Sequence, residues 1–399
     1  MGYDLKAAGF VADPYAVFAR LRVERPVFFD EGTGQWVVTR YADVDALLRD
    51  RRLGRSYLHV GGHEEFGRKP EAEFLRPFWD LIRAGMLDVE PPTHTRLRRL
   101  VAKAFTARLV EGLRPMVRSM AEELAGGLVG RGGGDLLAEV AEPLPVNVIS
   151  EMLGVPVEDR HLLRPWSADI CGMFELNPSR DAQTAAVRAA VEFSDYLRGL
   201  AGARRADPRD DLISGLAQVA DEGDRLTEDE LIGTCVLLLN AGHEATVNGT
   251  GNGWWALFRN PAELARLRSD HSLIPTAVEE LLRYDTPAPV FSRWVLEDVQ
   301  IAGVTIPRGS EIALHFASAN RDPDVFPDPD RLDLSRHPNP HLSFGLGIHY
   351  CLGAPLARLE LAESYAALLR QAPDLKPAAT PEWKPGYVLR GLRSLPVEC

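Results

Sequence analysis

Apolar residues change their spacing along this chain, and the changes mark its architecture. Pro26 to Phe29 and Trp36 to Thr39 are short strand-like runs joined through Gly32-Thr33-Gly34, a glycine-bearing hairpin signal. From Tyr41 the period becomes helical. Tyr41 to Leu48, Arg96 to Phe105 and Leu113 to Leu128 carry it, the last running into Gly130, Gly132, Gly133 and Gly134. Further helices are expected around Val146 to Leu153, Ala182 to Ala201 and Asp210 to Ala220. Beyond Arg283 the texture turns strand-like again, in Val290 to Trp294, Val299 to Ile306 and Glu311 to His315, before an irregular Pro- and Asp-rich stretch from Ala319 to Pro340. The pattern predicts a mixed α+β fold, mostly helical, with a small β-rich lobe formed by both ends of the sequence. No repeat or low-complexity linker cuts the chain, so a single domain over 1–399 is expected.

One helix stands out. Thr227-Glu228-Asp229-Glu230 is a capping box, and the pattern it opens, about 228–259, spans about thirty residues, on the order of 45 Å. Gly242, Gly249, Gly251 and Gly253 lie inside it, each costing up to about 1 kcal/mol relative to alanine. Close packing against a neighbouring element accounts for the last three. Gly242 belongs to a different stretch, Ala241-Gly242-His243-Glu244-Ala245-Thr246, with an acid set among Leu237, Leu238, Leu239 and Val247.

Composition narrows the class without naming it. The chain has 399 residues and 45% hydrophobic content, enough for a large core. No run of 18 or more apolar residues appears and Gly2-Tyr3-Asp4-Leu5-Lys6 lacks the features of a signal peptide, so no membrane association and a cytoplasmic location are expected. A net charge of −12 argues against general nucleic-acid affinity. Arg96, Arg99, Lys103 and Arg108 form a local basic run that fits either an acidic partner or a solvated helix face. The four cysteines, Cys171, Cys235, Cys351 and Cys399, show no paired spacing, which argues against a disulfide framework or a cysteine zinc site.

Cys351 has a setting of its own. It closes Phe344-Gly345-Leu346-Gly347-Ile348-His349-Tyr350-Cys351-Leu352-Gly353, after which Leu352, Leu356 and Leu359 recur at helical spacing. A sulfur there faces the unpaired N–H donors and positive end of a helix, which favours thiolate over thiol. Gly345 and Gly347 allow crowded backbone, and Gly353 lets a flat ring approach the chain. A lone cysteine is otherwise read as a small buried hydrophobe. Phe344, Gly345, Gly347, His349, Cys351 and Gly353 together match the haem-binding signature of the cytochrome P-450 family, which the chain resembles from Asp13-Pro14-Tyr15 to Gly391-Leu392-Arg393.

The resemblance implies a cytochrome P-450 fold with a long central helix over the haem, and haem b (iron protoporphyrin IX) ligated by Cys351 within the loop 344–353. It places Ala241 and Gly242 at the oxygen-binding stretch of that helix. There the family normally has an acid followed by a threonine or serine that relay protons. Here Glu244 is followed by Ala245, and Thr246 comes one position later, rotated by about 100° on the helix. Ordered water or a substrate hydroxyl is expected to replace the missing side chain. His94 and Arg98, at i and i+4, with Arg293 and His349, match the family's propionate partners. Glu280 and Arg283 resemble its Glu-x-x-Arg motif, and Arg331, in Pro329-Asp330-Arg331, is expected to complete a buried charge network with them. The substrate pocket is expected to include Met86, Phe174, Leu239, Val290, Phe291 and Leu392, with Arg83 and Arg390 either binding an anion or facing water.

The function implied is that of a haem-thiolate monooxygenase. It would insert one atom of O2 into a mainly apolar small molecule by hydroxylation or epoxidation, in secondary metabolism. No nicotinamide or flavin fingerprint is visible, so electrons are expected from a ferredoxin and ferredoxin reductase, delivered to a monomer. Two other readings stand beside it, a peroxide-using or reductive haem-thiolate enzyme and a non-catalytic haem gas sensor or carrier.

Overall fold

Gly34 takes φ 71°, a left-handed turn open to glycine, and it closes the first hairpin where the sequence predicts one. β1 (Val27–Asp30) there pairs antiparallel with β2 (Gln35–Val38). β3 (Leu53–Gly54), β4 (Val290–Val295) and β5 (Glu311–His315) complete a sheet of order β1-β2-β5-β4-β3. β5 lies parallel to β2, with Ala313 opposite Val37, and antiparallel to β4, with Ala313 opposite Ser292. The β lobe thus joins strands from distant parts of the sequence. Val38, Val295, Ile312 and Leu314 pack in one buried cluster with Val44, Leu47 and Leu48 of the helix Tyr41–Arg49. The run Val299 to Ile306 is a hairpin of its own, Val299–Ile301 with Val304–Ile306, turning at Ala302 and Gly303, both at positive φ.

The computed structural model describes residues 2–175, 177–221 and 223–399. They form two compact units. The first comprises the described residues up to Tyr57 with Pro115–Leu144 and Ala245–Cys399; the second comprises Leu58–Arg114 and Pro145–Glu244. The helices that carry the candidate site are α1 (Thr93–Ala104), α2 (Glu228–Arg259), α3 (Ile274–Tyr284) and α4 (Ala354–Gln371). The capping box opens α2 as expected, with Thr227 N–H donating to the Glu230 carboxylate at 2.8 Å and Glu230 N–H to the Thr227 hydroxyl at 3.2 Å. A Cβ added at Gly251 would stand 2.7 Å from Leu137 Cδ2, and one at Gly253 would overlap the Tyr365 hydroxyl of α4. Gly251 and Gly253 are therefore packing glycines, whereas a Cβ at Gly249 would make only ordinary contacts, the nearest 3.6 Å from Leu282. Around Gly242 a Cβ would meet nothing within 4 Å.

Glu280 of α3 centres a buried ion cluster. Arg283 donates to Glu280 through Nε at 2.7 Å and Nη2 at 2.8 Å, and both side chains are fully buried. The arginine that completes the cluster is Arg336, whose Nε lies 3.1 Å and 3.2 Å from the Glu280 oxygens, and not Arg331 as the motif implied. Arg331 turns its side chain outward to Asp333 and supplies the cluster only with its carbonyl.

Candidate active site

The segment before α4 is shaped by two left-handed glycines, Gly345 at φ 65° and Gly347 at φ 71°. A Cβ at Gly347 would meet the Leu48 carbonyl, so the loop lies against the backbone there and only glycine fits. Cys351 N–H donates back to the Phe344 carbonyl at 3.0 Å, which closes the loop on itself. Gly353 then caps α4, and Pro355 sits in its first turn, where no intrahelical N–H is required. Cys351 is half-buried while Ala354 and Leu356 behind it are buried. Its sulfur therefore stands partly accessible before the N-terminus of an 18-residue helix, as the sequence indicates. A Cβ at Gly353 would lie 3.9 Å from the sulfur, so glycine keeps the space beside it clear.

Between its exposed first turn and its partly accessible last turns, α2 is buried with an interruption at its middle. Leu237, Ala241, Gly242, Glu244 and Ala245 keep accessible surface between fully covered flanks. Their spacing marks one face of the helix. His243 turns elsewhere, 1% exposed with Nδ1 3.4 Å from the Ser167 hydroxyl. Thr246 leaves that face as well. It is buried, and its hydroxyl hydrogen-bonds the carboxyl of Glu360 on α4.

Glu360 is the residue that sequence reasoning missed. Burial pushes its carboxyl up to about 8, and the Thr246 hydrogen bond pulls it only part of the way back. The acid partner of Thr246, the residue after Ala245, is therefore a buried carboxyl on α4 that favours its protonated form near neutral pH. The signal was present: Glu360 lies four residues after Leu356 and beside Leu359, on the apolar face of the predicted helix.

The other expected residues fall as follows. In the second unit, His94 is 2% exposed on α1 one turn before the half-buried Arg98. Met86 is buried and Phe174 half-buried, its ring 6.3 Å from that of Phe78. In the first unit, Arg293 is buried on β4, and His349 is half-buried at the end of the turn Gly347–His349. Val290 is buried, and half-buried Phe291 stacks on Phe316 at 5.9 Å. Leu239 and Leu392 are fully covered by protein.

The structure bears on three expectations about cations. Arg390 neither faces water nor waits for an anion, because it is 1% exposed, paired with Asp285, and donates to the Ala12 carbonyl at 2.9 Å. Arg83 pairs with Glu71. The basic run on α1 is answered by its own chain: Arg96 meets Asp224 at 3.2 Å and Glu230, while Arg99 and Lys103 share Asp221. That favours the solvated-face reading.

No group of three or more His, Cys, Asp and Glu side chains among the described residues is arranged to hold a bare metal ion. Cys351 offers one soft sulfur donor in a cleared recess, which suits a metal that arrives already ligated in a macrocycle. The residues present fit a haem. Fold and sulfur together define a haem-thiolate protein.

Known proteins agree. Residues 181–371 match the family model described as Cytochrome P450. The chain is 40% identical to the polyketide biosynthesis cytochrome P450 PksS of Bacillus subtilis, covering 97% of this chain and 96% of that one. It is 42% identical to the cytochrome P450 monooxygenase PikC of Streptomyces venezuelae, covering 99% and 93%. The crystal structure of P450BioI in complex with an acyl carrier protein ligated to hexadec-9Z-enoic acid superposes with a TM-score of 0.91 at 36% identity, over 98% of this chain and 100% of that one. The chain belongs to the cytochrome P450 family, and it is an oxygen-inserting oxidoreductase of the monooxygenase class whose cofactor is haem iron. No described helix is long and apolar enough to cross a membrane.

Proposed function

We propose that the protein hydroxylates or epoxidises a mainly apolar small molecule of secondary metabolism, using haem b and electrons from a ferredoxin and its reductase, as a cytoplasmic monomer. The observation that carries the reading is the half-buried Cys351 sulfur, set before the N-terminus of α4 with glycine on its open side. Haem bound to that sulfur supplies oxygen activation and the insertion of one oxygen atom. Everything else falls to the chain. Cys351 holds the iron as thiolate. By the family resemblance, His94, Arg98, Arg293 and His349 bind the acidic propionates, and Phe344, Gly345, Gly353 and Ala241 leave room for the ring. By the same resemblance, Val290 and Phe291 of the first unit and Met86 and Phe174 of the second are assigned as apolar substrate contacts, in keeping with a molecule of the polyketide kind that the name of PksS indicates.

Proton supply differs from the family's usual pair. Ala245 presents only a methyl to the accessible face of α2, and Glu244 is the carboxylate half-exposed beside it. Thr246 relays instead from the buried acid Glu360, whose carboxyl is protonated near neutral pH. Water or a substrate hydroxyl spans the step from Thr246 to the reacting oxygen.

A spectral-shift screen of apolar candidates, followed by turnover with a surrogate ferredoxin pair or with peroxide, tests the assignment. Reductase-driven, substrate-dependent product is expected. Product with peroxide alone would favour a peroxide-using enzyme, and absence of product with either donor would favour a gas sensor.

A further inference from the structure

The ring of Phe344, the first residue of the cysteine loop, is gripped from outside the loop. The Arg358 guanidinium of α4 stands 4.4 Å from its centroid, and the His341 ring is 5.9 Å away at 44°. One carboxylate holds both neighbours. Glu279 on α3 accepts from Arg358 Nε at 2.6 Å and Nη2 at 2.9 Å, and its Oε2 lies 3.1 Å from His341 Nε2. His341 Nδ1 accepts the Ser343 N–H at 3.2 Å, so the ring proton is on Nε2 and points at Glu279. Arg358 also reaches the hydroxyl of Tyr350, the residue before the cysteine, at 3.3 Å. Both flanks of the loop therefore lead to Glu279.

We infer that Glu279 and Arg358 are positioning residues for the thiolate, fixing through Phe344 the carbonyl to which Cys351 donates its N–H. The inference rests on the reading of Cys351 as the haem ligand. Its logic is geometric. Cys351 N donates to the Phe344 carbonyl at 3.0 Å, so a shift of the Phe344 backbone, which the held ring opposes, is passed to the peptide that carries the sulfur. Arg358 holds that ring by its charge over the π face, and a bidentate carboxylate fixes the fork in a plane that a single contact would leave free. Burial alone would raise the Glu279 carboxyl, but the hydrogen bonds from Arg358 and His341 outweigh it and hold the group down to about 2. Glu279 is therefore a carboxylate throughout the working range, and the brace is permanent rather than switched. The neighbouring Glu280 serves the buried cluster instead, so two adjacent acids of one helix have separate partners.

The test uses the haem-loaded protein carrying Glu279→Gln, Arg358→Lys or Phe344→Leu, with Arg370→Gln as control, since that residue pairs at the surface with Glu122, away from the loop's braces. Arg358→Lys keeps the charge and loses the fork, so it serves should Glu279→Gln fail to fold. Three readouts separate positioning from bulk stability: the carbon monoxide difference band, the midpoint potential, and the rate of haem loss to apomyoglobin. The brace variants are expected to shift part of the band to the short-wavelength form that marks a displaced thiolate, move the potential, and lose haem about tenfold faster. Unchanged band, potential and haem loss in Glu279→Gln and Arg358→Lys would overturn the inference, even if their melting temperatures fell. A wild-type protein without the thiolate band would overturn the underlying reading and the brace with it.

Discussion

Ala245 presents a methyl where the family usually has a hydroxyl, and the nearest hydroxyl, Thr246, is committed to Glu360. The motif alone leaves the proton source open, because a helix position fixes direction but not the partner it meets. Glu360→Gln keeps the shape and removes the proton. Product formation is expected to fall about 100-fold and hydrogen peroxide release to rise, with Ala245→Thr restoring part of the coupling in that background. Equal product and peroxide in wild type and variant would remove Glu360 from the relay. The same residue governs a stability effect whose sign follows from its raised value. Between its ordinary 4.5 and about 8 the folded protein holds a proton that the unfolded chain has lost. Wild-type stability should therefore fall as pH rises through that window, by up to about 1.4 kcal/mol per pH unit, and level off above it. Denaturant titrations of Glu360→Gln should lack this component.

At the scale of elements, the glycines of α2 separate into two kinds that look alike in sequence. Gly253 lies under the Tyr365 hydroxyl of α4, where any added atom collides, whereas Gly242 has open space where a side chain would stand. Gly253→Ala should destabilise by about 1 to 3 kcal/mol through overpacking. Gly242→Ala should stabilise by about 0.5 to 1 kcal/mol through helix propensity, yet narrow the accessible face and slow carbon monoxide binding to the reduced protein. Thermal melts and flash photolysis read the two effects separately. Periodicity found α2 and its capping box because both are local. It gave no warning of the helix Arg160–Cys171, which carries Pro165 inside it, a residue that locally argues for a break. Tertiary packing there outweighs the local signal.

For the molecule as a whole, the Glu280 cluster shows how far a motif carries. Arg283→Ala should cost about 3 to 5 kcal/mol and yield protein poor in haem, because Glu280 is left as a buried, under-compensated charge. Arg336→Ala should follow it in weaker form, and exposed Arg331→Ala should change stability by less than about 0.5 kcal/mol. Haem-to-protein absorbance ratios and melting curves check the order. Much of this protein was legible before any coordinates. Alternating and helical periods gave the longest strands and helices but not the short strand Leu53–Gly54 that completes the sheet, the resemblance of the Cys351 loop to a family signature gave the cofactor, and Ala245 marked the departure on the distal side. These are properties of neighbouring residues, where backbone sterics and side-chain spacing act within a few positions. Only the tertiary structure decided that Arg336 meets Glu280, that Arg390 is clasped by Asp285, that Asp221 answers the basic run, and that Glu360 faces Thr246. Each of those pairs joins residues far apart in the chain, so each partner is chosen by how the helices pack and by the cost of burying a charge alone, which spacing along a sequence does not encode.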